Sequence, residues 1–305
     1  MFSANLSGRT FRQIVHLHAG GEQLRLHLSN RYGDGPVTFA SISVGQVLKG
    51  PVVRPGGRAV RFAGHTTVTL GPGQEVVSDP VALRVEAFSD LAITFILAQG
   101  ESLTGHVSAQ QTSYVSGIGD VTAVPTEVAF LAYPLLTASW WLITGIDVLP
   151  STPLNAVVAF GSSTTNGFGS TQNANRRWPD YLARRLRDAG GTRFMSVLNA
   201  GISGNQLTSS ELPQAGGTGR APFVPGMPSF SPLVFGEAGH QRLAWGVLAQ
   251  PGATDLIVHI GSNDLRVGVS GVTLIEAFQQ VAQQARKTYR RVFGTTILPG
   301  GYPPS

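Results

Sequence analysis

Apolar and polar residues alternate with a period of two through most of residues 11–145. Segments such as LRLHLSN (24–30), VALRVEAF (81–88) and LAITFILA (91–98) are short, rich in β-forming residues and bounded by turn residues. Turns such as YGDG and GPGQ separate them, and no segment with a helical period interrupts the series. This pattern predicts an antiparallel, jelly-roll-like β-sandwich domain over residues 1–148.

The pattern changes after the connector GIDVLPSTP, residues 145–153. Apolar strands then alternate with amphipathic helices. The predicted strands are residues 155–161, 193–199, 254–261 and 291–298. One helix is expected in RRWPDYLARRLRDAGG, where Pro179 suits the first turn and Gly190 and Gly191 end it. A second is marked by an apolar stripe of Leu274, Phe278, Val281 and Ala285. Residues 149–305 are therefore predicted to form an α/β domain with a parallel sheet.

Three glycine-containing polar turns follow three successive predicted strands. They are GSSTTNG (161–167), NAGISGN (199–205) and GSND (261–264). Parallel strands bind ligands beyond their carboxyl ends, so the fold should bring these turns together. Ser163 is the candidate nucleophile. The backbone N–H groups of Ser163 and Gly204, with the side-chain amide of Asn263, are candidate donors to an oxyanion.

Together the three turns resemble the first three sequence blocks of the SGNH, or GDSL-type, hydrolases. Trp178–Pro179 follows the first block as it does in that family, and the β-rich half looks like a domain that precedes the catalytic domain in some bacterial members. The resemblance implies a flavodoxin-like α/β/α fold and hydrolysis of carboxylic esters, as in lipases, short-chain esterases and carbohydrate deacetylases. It implies Ser163 as nucleophile, with Ser163, Gly204 and Asn263 as the oxyanion hole. A small ester or acylated carbohydrate is the expected substrate, no cofactor is expected, and a secreted or periplasmic location is favoured.

Two departures from the family pattern concern the catalytic machinery. Ser162 stands where the family has an aspartate that braces the turn, so weakened positioning of the nucleophile is expected. The Asp-x-x-His block that supplies the family's base is absent, because no such motif follows the predicted fourth strand. The resemblance therefore implies that some tens of residues are missing, which would expose a sheet edge and favour self-association.

The remaining histidines give two candidates for a substitute base. His240, in GEAGHQRLAW, is expected to begin a helix between the second and third blocks, and His106 lies at the end of the β-rich half. His259 lies in the apolar segment DLIVHIG and is interpreted as a core histidine held by packing and one hydrogen bond.

Composition limits the classes of function. The chain has 305 residues, a net charge of +5 and no cysteine, which excludes disulfides and thiolate metal sites. Its basic residues are scattered, so nucleic-acid binding is not expected. No apolar segment is long enough to span a membrane, and the N-terminus lacks the apolar core of a signal peptide. Neither the P-loop nor the G-x-G-x-x-G pattern is present at the first turn.

Two alternatives to an active esterase stay open. The chain could be a truncated or decayed, non-catalytic binding protein of the same fold, because the base is missing. The β-rich half could instead bind carbohydrate through Trp140 and Trp141, although a tryptophan pair in a strand more often packs in a core. Within 216–236, Phe223, Phe230 and Phe235 offer apolar surface, either as a wall of the substrate site or as part of an insertion without function.

Overall fold

The computed structural model describes residues 7–99, 103–131, 138–210 and 235–298. The chain divides into two compact units, Met1–Pro153 and Leu154–Ser305.

The first unit consists mainly of antiparallel strands. Its elements are β1 (Arg9–His16), β2 (Gln23–Ser29), β3 (Val37–Lys49), β4 (Val52–Val53), β5 (Arg58–Ala59), β6 (Val68–Leu70), β7 (Glu75–Val77), β8 (Asp90–Gln99), β9 (Gly105–His106), β10 (Ser113–Ile118), α1 (Val128–Leu131), β11 (Trp140–Trp141) and β12 (Ile143–Leu149). One described sheet has the order β10-β1-β8-β3-β4, with β5 and β6 also paired to β3, and another has the order β12-β2-β7. Strands β9 and β11 form a short pair.

The alternation of apolar residues places one face of each strand in a shared core. Leu24, Leu26 and Leu28 of β2 are buried, while the intervening Arg25 and His27 are not. These leucines belong to the same hydrophobic cluster as Phe11, Phe39 and Phe95 of the larger sheet, together with Trp141. Trp140 donates its indole N–H to the carbonyl oxygen of Ile14, 2.9 Å away. Trp141 is buried and Trp140 is held by this hydrogen bond, as is common for tryptophans in a strand.

Two predictions for this half were wrong in detail. Residues 81–88 form no strand but make isolated bridges, Leu24 to Val81 and Gly21 to Val85. Both valines are buried, as the apolar pattern predicts. The backbone of this segment, however, forms no continuous ladder of hydrogen bonds. The helix α1 also interrupts the strands. It was not predicted, because a single turn is too short to show helical periodicity in the sequence.

The second unit contains the predicted parallel sheet. Its elements are β13 (Asn155–Gly161), α2 (Ser163–Asn166), α3 (Trp178–Ala189), a 3-10 turn (Gly191–Arg193), β14 (Met195–Gly201), α4 (Gly239–Leu243), a π-helical turn (Ala244–Leu248), β15 (Ala253–His259), α5 (Ser262–Arg266), α6 (Gly271–Ala285) and β16 (Arg291–Gly294). The four strands pair in parallel in the order β14-β13-β15-β16.

The register of the sheet determines where the polar turns lie. Gly161, the last residue of β13, is opposite Gly201 of β14 and His259 of β15. The three strands therefore end at the same edge, and the turns that follow them meet there. Residues 156–160 of β13 are all buried, as expected for a central strand covered on both faces. From the predicted stripe of α6, Leu274, Val281 and Ala285 are buried in the core beside the sheet.

Candidate active site

Ser163 is the first residue of α2 and lies directly beyond the carboxyl end of β13. The turn between them is tight at Gly161, where a Cβ atom would lie 2.0 Å from Thr165 Oγ1 and 2.6 Å from the His259 carbonyl oxygen. Only glycine fits this position without displacing the backbone of β15. Ser163 is partly exposed, and its hydroxyl makes no hydrogen bond to any residue within the described ranges.

Hydrogen bonds join the first polar turn to the second. The Asn199 side-chain amide donates to the Thr165 carbonyl oxygen (2.8 Å), and the Asn166 amide donates to Ser203 Oγ (2.9 Å). The backbone N–H of Ile202 donates to the Gly161 carbonyl oxygen (3.1 Å). The two turns are thus fixed to each other by side chains that belong to the turns themselves.

Gly204, in the second turn, has a backbone conformation that favours glycine, with φ of +81°. A Cβ atom there would lie 2.3 Å from the half-buried ring of Phe235. The backbone of Gly204 is therefore packed closely beneath an aromatic ring. Of the three phenylalanines that offer apolar surface within 216–236, Phe235 contacts this turn, whereas Phe223 and Phe230 lie outside the described residues.

The third turn is attached to the second through Asn263 and Asp264. Asn263, only 8% exposed, donates one hydrogen of its amide to the Asn205 carbonyl oxygen (2.9 Å), and its second amide hydrogen bonds to no described residue. The Asp264 carboxylate accepts hydrogen bonds from the backbone N–H groups of Leu207 and Thr208, each at 2.9 Å. The structure therefore brings together the turns that carry Ser163, Gly204 and Asn263.

A buried arginine that sequence reasoning missed also connects these turns. Arg242 of α4 is 2% exposed. Its guanidinium donates to the carbonyl oxygens of Gly161 and Ala200, each at 3.0 Å, and to Asn205 Oδ1 at 2.9 Å. It also lies over the Phe160 ring. Arg242 thus holds the ends of β13 and β14 and the second turn in one arrangement.

An open cavity of about 350 Å³ lies beside the candidate nucleophile. Its lining residues are Ser163, Thr164, Gly167, Phe168, Ser170, Arg176, Arg177 and Trp178. The Trp178 indole N–H donates to Thr165 Oγ1 (3.2 Å), which fixes this ring against α2. The position of Ser163 in the wall of a cavity gives its hydroxyl room to meet a substrate.

The α/β half of the chain matches a known protein family. Residues 159–305 match the model of the GDSL-like Lipase/Acylhydrolase family. Residues 159–305 belong to that family. No curated protein matches the chain.

Several solved structures are similar to the chain, and three of them follow. The SGNH-hydrolase family esterase AlinE4 is 21% identical over 47% of this chain and 59% of its own, with a TM-score of 0.34. A family two carbohydrate esterase from Clostridium thermocellum, in complex with cellohexaose, is 14% identical over 96% of this chain and 72% of its own, with a TM-score of 0.32. The salicylyl-acyltransferase SsfX3 from a tetracycline biosynthetic pathway is 12% identical over 97% of this chain and 60% of its own, with a TM-score of 0.30. The chain thus spans about three fifths of the AlinE4 chain.

The histidines of the GDSL-like domain differ in their environments. His240 is exposed on α4, and its Nδ1 lies 2.8 Å from the Leu207 carbonyl oxygen. Because a carbonyl oxygen only accepts, Nδ1 carries the hydrogen and Nε2 is free to accept a proton. His259 is the last residue of β15 and half-buried rather than a core residue; burial lowers its pKa, and Nδ1 lies 2.6 Å from Thr295 Oγ1. His106 belongs to the other unit, where its ring stacks with Trp140.

Three further observations bear on the sequence predictions. Ser162 is buried, and its side chain makes no hydrogen bond that caps α2. Within the described ranges, no group of three His, Asp or Glu side chains is placed to hold a metal ion. No described helix is long and apolar enough to cross a membrane.

Proposed function

We propose that the GDSL-like domain hydrolyses carboxylic esters through an acyl intermediate on Ser163. The observation that carries this proposal is the hydrogen-bonded joining of three turns around a partly exposed serine at the carboxyl edge of a parallel sheet. Lipases and acylhydrolases give the family its name, and this supports the same class of reaction. Small esters and acylated carbohydrates are the proposed substrates.

In the proposed reaction, Ser163 Oγ forms a bond to the ester carbonyl carbon and gives its proton to a base. The carbonyl oxygen becomes an oxyanion, which accepts hydrogen bonds from the N–H groups of Ser163 and Gly204 and from the Asn263 amide. The carbon–oxygen bond to the alcohol then breaks, and the alcohol leaves with the proton. Water repeats the sequence on the acyl-serine and releases the carboxylic acid.

His240 is the proposed base, because its bond to Leu207 leaves Nε2 unprotonated in the neutral ring. Mutation of this residue tests the assignment. We expect His240→Gln to lower kcat for p-nitrophenyl acetate, while the matched change at the exposed His65 has no effect. Equal activity of His240→Gln and the parent would remove His240 from the mechanism and leave His106 and His259 to be tested next.

The test of hydrolysis itself compares the chain with its Ser163→Ala variant on p-nitrophenyl acetate. We expect the parent to turn over the ester and the variant to lose at least about a hundredfold in kcat/KM. Turnover that is the same in both proteins would exclude Ser163 as the nucleophile.

The second candidate function is binding without catalysis. It is favoured by one observation, that no described residue hydrogen-bonds to the Ser163 hydroxyl. An oxyanion hole without a base still gives roughly 10³–10⁴-fold acceleration over water in serine proteases. The binding function would be supported if the parent and Ser163→Ala were equally and weakly active while both bound the same carboxylic acid product.

For the first unit we propose a β-sandwich. Its support is the single hydrophobic cluster that receives side chains from both the larger sheet and the β12-β2-β7 sheet. An experimental structure of residues 1–153 that showed the two sheets apart would contradict this proposal.

A further inference from the structure

The described lining of the cavity beside Ser163 carries a positive charge. Among the described residues that line it are two arginines and no acidic residue. Arg177 is buried and forms an ion pair with Asp180, with 3.3 Å between Nη1 and Oδ2, so its charge is compensated. Arg176 is exposed and forms no ion pair or hydrogen bond with any described residue. A guanidinium is therefore presented at the same cavity as the candidate nucleophile.

The cavity also has an aromatic surface, formed by Phe168 and Trp178. The Phe168 side chain lines the cavity and is 72% exposed. The Phe168 backbone N–H donates to the Ser163 carbonyl oxygen (2.9 Å), so the ring is attached directly to the turn that carries the nucleophile. Trp178 is fixed against α2 by its bond to Thr165. Within the part of the chain that the structure describes, the cavity therefore combines an aromatic surface with one guanidinium that has no ion-pair partner.

We propose that this cavity receives the anionic part of the substrate, and that Arg176 is a specificity-determining residue for esters that bear a carboxylate. This inference rests on the proposed function, because it assigns a substrate class to the same site. A planar guanidinium matches a carboxylate through two parallel hydrogen bonds, and an aryl or alkyl segment between the carboxylate and the ester would lie against Phe168. The carboxylate belongs either to the acyl part or to the alcohol part of the ester.

Two pairs of esters distinguish these sources. Mono(p-nitrophenyl) adipate is compared with p-nitrophenyl hexanoate, which has an acyl chain of the same length without the charge. On the alcohol side, p-acetoxybenzoate is compared with its methyl ester. The parent should favour the anionic member of one pair in kcat/KM, after correction for spontaneous hydrolysis, and the pair that shows the preference identifies the part of the ester that enters the cavity.

The decisive variant is Arg176→Gln, with Arg193→Gln as its control. Arg193 is also exposed, but it precedes β14 and so lies at the opposite end of the sheet from Ser163. We expect Arg176→Gln to reduce the preference for the anionic ester roughly threefold to tenfold, with little change for the neutral ester. Arg193→Gln should keep the preference. An unchanged preference in Arg176→Gln, or equal losses in both variants, would overturn the inference.

A binding measurement separates this inference from the proposed function. Fluorine NMR line broadening of p-fluorobenzoate, with p-fluorobenzamide as the neutral control, reports anion binding without turnover. Binding of p-fluorobenzoate that Arg176→Gln abolishes would support the anion site even in a protein that hydrolyses no ester, in which case only the proposed function fails. Ester hydrolysis by Ser163 with no charge preference and no such binding would leave the proposed function in place and overturn the anion site.

Discussion

The Arg242 guanidinium donates a hydrogen bond to the carbonyl oxygen of Gly161, 3.0 Å away, at the residue where the strand that leads to Ser163 ends. The same side chain binds the carbonyl oxygen of Ala200 on the neighbouring strand. A single buried cation thus fixes the separation of two strand ends from which the candidate site is built. The position of Ser163 depends on this contact as well as on the sheet.

We predict that Arg242→Met lowers the free energy of unfolding by about 2–4 kcal/mol, because it leaves buried oxygen acceptors without a donor. Urea unfolding measures this loss. Arg286→Met, at an exposed arginine that follows α6, is the control and should change stability by less than about 0.5 kcal/mol. Similar losses in both variants would show that the contacts of Arg242 contribute no specific stability.

Gly204→Ala should lower stability and kcat by more than the strain of its positive φ alone would cause. Gly204 and Gly268 both have positive φ, of +81° and +86°. A Cβ atom at Gly204 would meet the Phe235 ring at 2.3 Å, whereas one at Gly268 would meet no atom within 4 Å. Gly268→Ala should therefore cost only the backbone strain of about 1 kcal/mol, and Gly204→Ala should cost more and also lower kcat. Equal effects on unfolding and on ester hydrolysis would contradict the role assigned to Gly204.

Asn263→Ala should lower kcat for p-nitrophenyl acetate by about 10²–10³-fold with a smaller effect on KM, because the lost amide would act mainly on the oxyanion of the transition state. A thermal unfolding measurement on the same variant separates this effect from damage to the fold. If KM rose while kcat stayed constant, Asn263 would be a binding residue rather than an oxyanion donor.

The stability of the protein should depend on pH through His259. Burial lowers the pKa of this imidazole from its usual value of 6.5 in the folded state, so the folded protein binds fewer protons than the unfolded chain once the pH falls below that value. Stability from this source is therefore complete above about pH 6.5 and is lost as the pH falls toward the folded pKa. His259→Gln should reduce the difference in unfolding free energy between neutral and mildly acid solution. His65→Gln, at an exposed histidine, should leave that difference unchanged.

Much of the architecture could be predicted because local pattern and tertiary structure agree. The strand at residues 155–161 was predicted with its observed bounds, and β14, β15 and β16 begin within two residues of the predicted starts. Continuous apolar runs between glycine-rich turns identify parallel strands that are buried on both faces. The failure at residues 81–88 has a related cause: alternation reports which side chains are buried, but it does not report whether the backbone finds a neighbour for every hydrogen bond.

The sequence by itself determined that an α/β half follows an antiparallel half, and that Ser163, Gly204 and Asn263 stand in turns after three parallel strands. These properties follow from the periodicity of apolar residues and from glycines where the chain must turn. Only the tertiary structure decided that Arg242 joins the strand ends, that Phe235 packs on Gly204 and that His259 ends its strand half-buried. It also showed that Arg176 and Ser163 line one cavity. Such contacts link residues far apart in the chain, and their geometry depends on how the helices pack on the sheet, which no local pattern encodes.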